Sequence, residues 1–348
     1  MGDGDGWVRC AGGHQHWGRF GAAGLLLIDR SRALLQLRAH WTHEGDTWGL
    51  PGGARDSDED PVATALREAN EEAAIDPAMV EPLGLSLADH GGWSYTTVVA
   101  APRGPVRAVA ANSESVEARW WPIGAVAELP LHPGLAAAWP ALRSPPAPLR
   151  LIIDVANVVG SRPDGWWRDR PGAARRLRAA LTRLARDGIA ASALPWQAPT
   201  SGSAALPWQA PTSGSAALPP QAPTSRPAAL PRQAPTDGLA ALPPRAPAGG
   251  LAVVLPQLIL VVEGAARVLA GERADGSDAT SPRWWTAAMR TCAATGSGDD
   301  ELVAQARAAA RERVTPVLVS ADRALRDRVP EVTAVGPGWL WRLLDSDR

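Results

Sequence analysis

Two apolar runs, AAGLLLID (22–29) and ALLQLRA (33–39), flank a polar turn at Arg30–Arg32 and predict a β-hairpin. WSYTTVVAA (93–101) and EARWWPI (117–123) are rich in aromatic and β-branched residues and predict two further strands. Between these pairs, DPVATALREANEEAAI (60–75) carries helical spacing. Val62, Ala65, Leu66, Ala69 and Ala73 share one side of a helical wheel, and Glu68, Glu71 and Glu72 fall on the opposite side. Asp60 is a good N-cap and Pro61 suits the first helical position. The first part of the chain therefore reads as mixed strands and helix.

The pattern changes after RSPPAPLR (143–150), a Pro-rich stretch taken as a linker. LRLIIDVANVVG (149–160) is a continuous apolar run that suits a buried strand. A helix follows at about 171–187, with Ala174, Leu177, Ala180, Leu181 and Leu184 on one side and Arg175, Arg176, Arg183 and Arg186 on the other. QLILVVEG (257–264), TPVLVSAD (315–322) and VTAVGP (332–337) read as strands, with helices at about 299–312 and 321–329 among them. Strands alternating with helices imply a parallel sheet covered on both faces. The fold class expected throughout is α/β, with a first domain over 1–142, a linker over 143–149 and a second domain over 150–345.

One segment fits neither pattern. From Ala193 the chain repeats every twelve residues, beginning with two copies of ALPWQAPTSGSA and decaying to ALPPRAPAGGLA. Each unit holds two to four prolines and only one or two large aliphatic residues, so it can neither form a helix nor bury a core. A disordered, partly polyproline-like insertion over 193–250 is expected, interrupting the second domain. It reads as a spacer, and no partner for it follows from its composition.

A length of 348 residues matches two domains at roughly 150 residues each. The formal net charge of -1 excludes a generally basic nucleic-acid coat, though not a local basic patch. Cys10 and Cys292, the two cysteines, are far apart, which excludes a disulfide framework and a four-cysteine zinc site. That usage fits a reducing cytosol, so a cytoplasmic location is expected. No run of about 18 apolar residues predicts a membrane span, and the acidic, Gly-rich start is no signal peptide. The chain contains no lysine, which excludes a P-loop lysine, a Schiff-base lysine and a lysine general base. All six histidines (His14, His16, His40, His43, His90 and His132) lie in the first half, so chemistry in the second must proceed without imidazole. A lysine-free chain rich in Ala, Arg, Gly and Pro also suggests a GC-rich bacterial coding sequence.

Glu68, Glu71 and Glu72 sit at helical neighbour spacings and repel one another. Such a cluster is either solvated or holds a cation. The preceding LPGG (50–53) predicts a tight turn with Gly at positions of positive φ. Gly53, Glu59, Arg67, Glu68, Glu71, Glu72 and Ile75 together resemble the Nudix hydrolase box, G-x5-E-x7-R-E-U-x-E-E-x-G-U, with U a bulky apolar residue. Seven identities fall within 23 residues. Ala69 departs where a larger apolar residue is usual, and Ala74 where Gly is usual. If that last turn is left-handed, Ala costs on the order of 1 kcal/mol there.

The resemblance, over about 7–142, implies an α/β/α sandwich around a mixed sheet. It implies Mg²⁺ or Mn²⁺ held by Glu68, Glu71 and Glu72, with Arg67 and Glu59 bracing the loop as an ion pair. The implied reaction is attack of water on a pyrophosphate bond in a nucleoside diphosphate derivative. Hard oxygen ligands suit these cations. Glu114 and Glu117 are candidates for a further acidic residue, with Glu114 preferred. Trp93 and Tyr95 either stack on a base or belong to the core, the second being the more usual role. CAGGHQHWG (10–18) offers Cys10, His14 and His16 without a fourth ligand and reads as a structural turn.

In the second half, acidic residues gather where strands end: Asp154, Glu263, Asp299, Asp300 and Asp322. Sites form at the carboxyl ends of parallel strands, and converging carboxylates argue for a divalent cation. Asp154 and Asn157, the GSGDD turn (296–300) and SADR (320–323) resemble the NYN branch of the PIN-like nucleases. That resemblance implies a three-layer α/β/α domain cleaving RNA with metal held by Asp154, Glu263, Asp300 and Asp322, and with Asn157 and Asp299 beside them. The Arg face of the 171–187 helix and DGWWRDR (164–170) are candidates for an RNA surface, against the ordinary reading of a solvated helix face. Two alternatives remain: a second domain that binds RNA without cleaving it, and a scaffold with both sites degenerate.

Overall fold

The strand Ala22–Asp29 is apolar along its whole length because both of its faces are covered. Leu25 and Leu27 pack with Val62, Ala65, Leu66 and Ala69 of the helix Pro61–Ala73. Leu26 and Ile28 face the other way, into a core with Trp48, Val126, Leu135 and Trp139. This is a computed structural model, and it describes residues 2–196, 250–272 and 284–346. Most of the expected Pro-rich insertion, 197–249, lies outside the described residues.

The first sheet runs in the order Ile189–Ala190, Val253–Val254, Val80–Asp89, Ser94–Pro102, Ala22–Asp29, Arg32–Arg38, Trp48–Gly49. Gly52–Ala54 also pairs with Ala22–Asp29, and Ser115–Pro122 with Arg32–Arg38. Ala22–Asp29 and Ser94–Pro102 are parallel, whereas the hairpin to Arg32–Arg38 and the pair Val80–Asp89 with Ser94–Pro102 are antiparallel. The sheet is therefore mixed, with the acidic helix on one face and the helix Pro133–Leu142 on the other. The predicted hairpin turns at Arg30, with φ of 55°. The ten-residue strand Val80–Asp89 has no counterpart among the predicted strands. Pro82 and Gly84 disguise it, and a register shift between them absorbs the misfit.

The second sheet is parallel throughout, in the order Met289–Ala293, Gln257–Val262, Leu149–Asp154, Thr315–Val319, Thr333–Val335. Leu151 and Ile153 meet Leu177, Leu181 and Leu340 of the helices Arg170–Asp187 and Pro337–Asp345. Ile152 faces Leu302 and Leu325 of the helices Gly298–Arg311 and Arg323–Asp327. Three layers result, as the alternation predicted. The apolar run 149–160 is not one strand. The strand stops at Asp154, whose Oδ1 accepts from Asn157 N at 3.0 Å and caps a short helix, Val155–Gly160.

Contacts join the two halves. Val253–Val254 extends the first sheet along Val80–Asp89, with Val254 opposite Gly84. Only glycine fits there, because a Cβ would lie 2.5 Å from Leu251 and 2.6 Å from the Val253 carbonyl oxygen. The indole of Trp284 donates to the Asp60 carboxylate at 3.3 Å, at the start of the acidic helix. Among the described residues, no helix is long and apolar enough to cross a membrane.

Candidate active site

Asp60 opens the acidic helix, its Oδ1 accepting from Val62 N and Ala63 N at 2.9 Å each. The helix closes at Ala74, which is left-handed at φ 53°, ψ 34°. Ala74 N donates to Asn70 O at 3.1 Å, the single bond of an αL cap, and Ile75 N reaches back to Ala69 O at 3.2 Å. A glycine position filled by alanine thus carries about 1 kcal/mol of backbone strain.

The three glutamates do not share one solvated face, as the helical wheel suggested. Glu72 points inward and is 3% exposed. Its Oε2 accepts from Gly52 N at 2.7 Å and from Gln36 Nε2 at 2.9 Å. On the helix Glu72 flanks the small residues Ala65 and Ala69, which let the helix lie close to the strands that supply these donors. Burial pushes the Glu72 carboxyl up to about 7, against the opposing pull of those two hydrogen bonds. Glu68 is half-buried and accepts from Arg67 Nη1 at 2.8 Å. Burial raises its pKa, and the guanidinium opposes that rise. Glu71 alone stands in solvent, with its side chain 54% exposed and Arg67 Nη1 at 3.5 Å.

Arg67 grips the loop. Its Nε and Nη2 donate to the two Glu59 oxygens at 2.7 and 2.9 Å, and Nη2 also donates to Ala54 O at 3.1 Å. This fork holds the Glu59 carboxyl below its usual range. The glycines before the helix serve close approach and not positive φ, since neither Gly52 nor Gly53 has one. A Cβ on Gly53 would lie 2.5 Å from Glu68 Oε1, and one on Gly52 would lie 2.5 Å from the Ala23 carbonyl oxygen.

Glu114 is exposed and adds to the negative potential at Glu68. Its neighbour Ser115 is buried and donates to Gln36 Oε1 at 2.8 Å, so Ser115, Gln36 and Glu72 form one chain of hydrogen bonds. Gln36 and Ser115 were not among the sequence candidates. A glutamine inside ALLQLRA was the available signal, because a fully buried amide must find partners. Glu117 lies 3.7 Å from Arg119 in an exposed pair. Trp93 stacks on His16 with ring centroids 4.1 Å apart, and its Nε1 donates to Gly18 O at 2.9 Å. Together with Arg19, Phe20, Arg55 and Leu87 it lines a cleft of about 330 Å³. Tyr95 packs its hydroxyl against Gly24, where a Cβ would fall 2.1 Å away, so it acts as a core aromatic.

Residues 18–142 match the NUDIX domain. A protein of Mycobacterium tuberculosis named "Putative 8-oxo-dGTP diphosphatase 3" is 50% identical over 161 residues, covering 43% of this chain and 74% of that protein. The chain belongs to the Nudix hydrolase family. A "Nucleoside triphosphate pyrophosphatase/Nudix hydrolase fusion protein" of Bifidobacterium longum is 44% identical over 146 residues, 39% of this chain and 30% of that protein. A Nudix hydrolase structure from M. smegmatis is 45% identical, covering 39% of this chain and 91% of that chain, with a TM-score of 0.37. Nudix hydrolases generally use divalent metal ions. The donor set here fits such an ion: two crowded carboxylates whose burial disfavours charge, and a third that is solvated.

Outside the Nudix domain, Asp154 and Glu263 end adjacent strands of the parallel sheet. Asp154 is 8% exposed. Its Oδ2 accepts from the buried Ser320 Oγ at 2.8 Å, and Asn157 Oδ1 accepts from Ala321 N at 2.8 Å. Burial raises the Asp154 pKa, and Asp299 and Glu263 add to the rise. Glu263 Oε2 accepts from Gly298 N at 3.1 Å. Asp299 stands near enough to act on Asp154, whereas Asp300 and Asp322 take other partners. Asp299 and Asp300 lie in the first turn of the helix Gly298–Arg311, not in a free loop, and complement its dipole. Asp300 turns toward Arg328 Nη2 at 2.5 Å, and Asp322 caps its own helix by accepting from Leu325 N at 3.0 Å. Within the Arg face of the long helix, Arg175 pairs with Glu272, while Arg178, which the wheel did not mark, is buried against the same carboxylate.

Proposed function

We propose that Glu68, Glu71 and Glu72 hold Mg²⁺ or Mn²⁺, and that the domain hydrolyses a pyrophosphate bond in a nucleoside triphosphate with an oxidised purine base. The observation that carries this reading is the graded environment of the three carboxylates: one gripped by backbone and amide donors, one braced by arginine, one free in solvent. The cation, when bound, neutralises charge on the diphosphate as its P–O bond breaks. Gln36 and Gly52 fix Glu72, Arg67 and Glu59 fix the loop around Glu68, and Glu71 supplies an exposed carboxylate with free lone pairs. Glu114, solvated at the rim, accepts the proton of the attacking water. Trp93 presents a flat face to a base in the cleft beside Arg19 and Arg55. The oxidised-purine class rests on the name of the M. tuberculosis relative.

The test is Mg²⁺-dependent release of nucleoside monophosphate from a panel of 8-oxo-dGTP, unmodified triphosphates, dinucleotides and nucleotide sugars. Turnover highest on 8-oxo-dGTP is expected. A higher turnover on a nucleotide sugar would overturn the substrate class. No turnover on any compound by folded protein would favour a degenerate scaffold.

A second reading concerns the parallel sheet, for which we infer a phosphodiester of RNA as ligand. In chain order its strands run 3-2-1-4-5, and Asp154 and Ser320 stand where that order reverses, the place where open parallel sheets bind ligands. The resemblance to NYN/PIN-like nucleases supplies the reaction: metal-dependent RNA cleavage, with Asp154 and Glu263 as ligands. Asp154→Asn should abolish cleavage and leave RNA binding intact. Binding by wild type without any cleavage would make this domain an RNA-binding module.

A further inference from the structure

The N-terminal hairpin, Trp7–Arg9 with Gln15–Trp17, brings Cys10 and His16 against a turn that is distant in sequence. That turn carries His90. One ligand atom from each of Cys10, His16 and His90 lies within 4.8 Å of the others. We infer that these three residues form a zinc site, separate from the carboxylates of the Nudix box.

Two independent observations point to a ligand here. The first is the convergence of one thiol and two imidazoles. Zn–S of ~2.3 Å and Zn–N of ~2.0 Å set tetrahedral donors about 3.5 Å apart, so rotation of the side chains closes the set without moving the backbone far. The second is that His16 Nε2 is buried and has no hydrogen-bond partner among the described residues. An orphaned buried polar atom is unfavourable, and coordination removes that cost.

The backbone is built for this meeting. Cys10 N donates to His14 O at 3.0 Å and Gly13 N to Cys10 O at 2.9 Å, closing a turn with Gly13 at φ 81°. In the facing turn His90 N donates to Trp93 O at 2.9 Å. Ala11 N then donates to Gly91 O at 2.7 Å and locks the two turns together. A Cβ on Gly91 would lie 2.8 Å from the Ala11 Cβ, so this contact requires glycine.

Thiolate and imidazole donors select Zn²⁺ over Mg²⁺, whereas the carboxylates of the acidic helix do the reverse. His14 Nδ1 lies 3.8 Å from Cys10 Sγ, beside the three donors. Binding replaces the thiol proton of Cys10 by the metal and releases it to solvent. The site staples the hairpin to the turn before Ser94–Pro102, and through the His16–Trp93 stack it fixes one wall of the cleft.

The test is Co²⁺ loading of the purified full chain, read by thiolate-to-metal charge-transfer absorption, with zinc content by elemental analysis. One equivalent of zinc and a charge-transfer band are expected. The band should vanish in Cys10→Ala and persist in Glu71→Gln. His90→Asn should weaken Zn²⁺ binding by more than about tenfold. Absence of the band in folded wild type would overturn the proposal, and this needs no variant. A band that survives Cys10→Ala would belong to Cys292, the other thiol, and would overturn it equally.

Discussion

Glu71→Gln lowers Mg²⁺-dependent hydrolysis on the order of 10³-fold and leaves the fold intact. The substitution keeps shape and removes one charge. Glu71 is the glutamate of the three whose change reads cleanly. Its side chain is 54% exposed and its Arg67 contact is 3.5 Å long, so no buried partner is orphaned. Changing Glu68 or Glu72 would disturb Arg67, Gly52 or Gln36 as well as any cation. The measurement is kcat/KM in Mg²⁺ beside the urea midpoint of each protein. Unchanged kcat/KM would mean that Glu71 holds no cation.

Glu72 makes the metal-free protein less stable as pH rises. Its folded-state pKa is about 7, raised from 4.5 by burial. Below pH 4.5 both folded and unfolded chains carry the proton, and the group costs nothing. Between 4.5 and about 7 the unfolded chain ionises first and is favoured. The loss is complete above pH 7 and is on the order of 3 kcal/mol. Glu72→Gln retains an acceptor oxygen for Gly52 and has no proton to lose, so it removes this component. Urea unfolding of both proteins in chelator, from pH 5 to pH 8, reads the difference in slope. Parallel slopes would show that the carboxyl is not held neutral.

Much of this was legible in the chain. The acidic helix, its Asp60 cap and its left-handed end at Ala74 followed from residue types with narrow conformational roles. The parallel sheet of the second half followed from the alternation of apolar runs with helical periods. What escaped depended on contacts between distant residues. Glu72 reads as opposite the apolar face, but at about 3.6 residues per turn it falls beside Ala65 at the edge of that face, and the donors that bury it come from Gln36 and Gly52, on other elements. The glycines of LPGG signal a tight backbone, yet whether they serve a positive φ or a close neighbour depends on Glu68 and Ala23. CAGGHQHWG lacked a partner in sequence because His90 reaches it only through the fold. In the second half, Asp300 and Asp322 read as ligands by position; the contacts of Asp300 with Arg328 and of Asp322 with Leu325 N depend on the fold.

The measurement that bears most directly on the account is Mn²⁺ binding, followed by electron paramagnetic resonance in wild type and in Glu71→Gln/Glu72→Gln. Circular dichroism would confirm that both are folded. The account predicts one bound Mn²⁺ in wild type and its loss in the double variant. Equal Mn²⁺ affinity in the two proteins would contradict it.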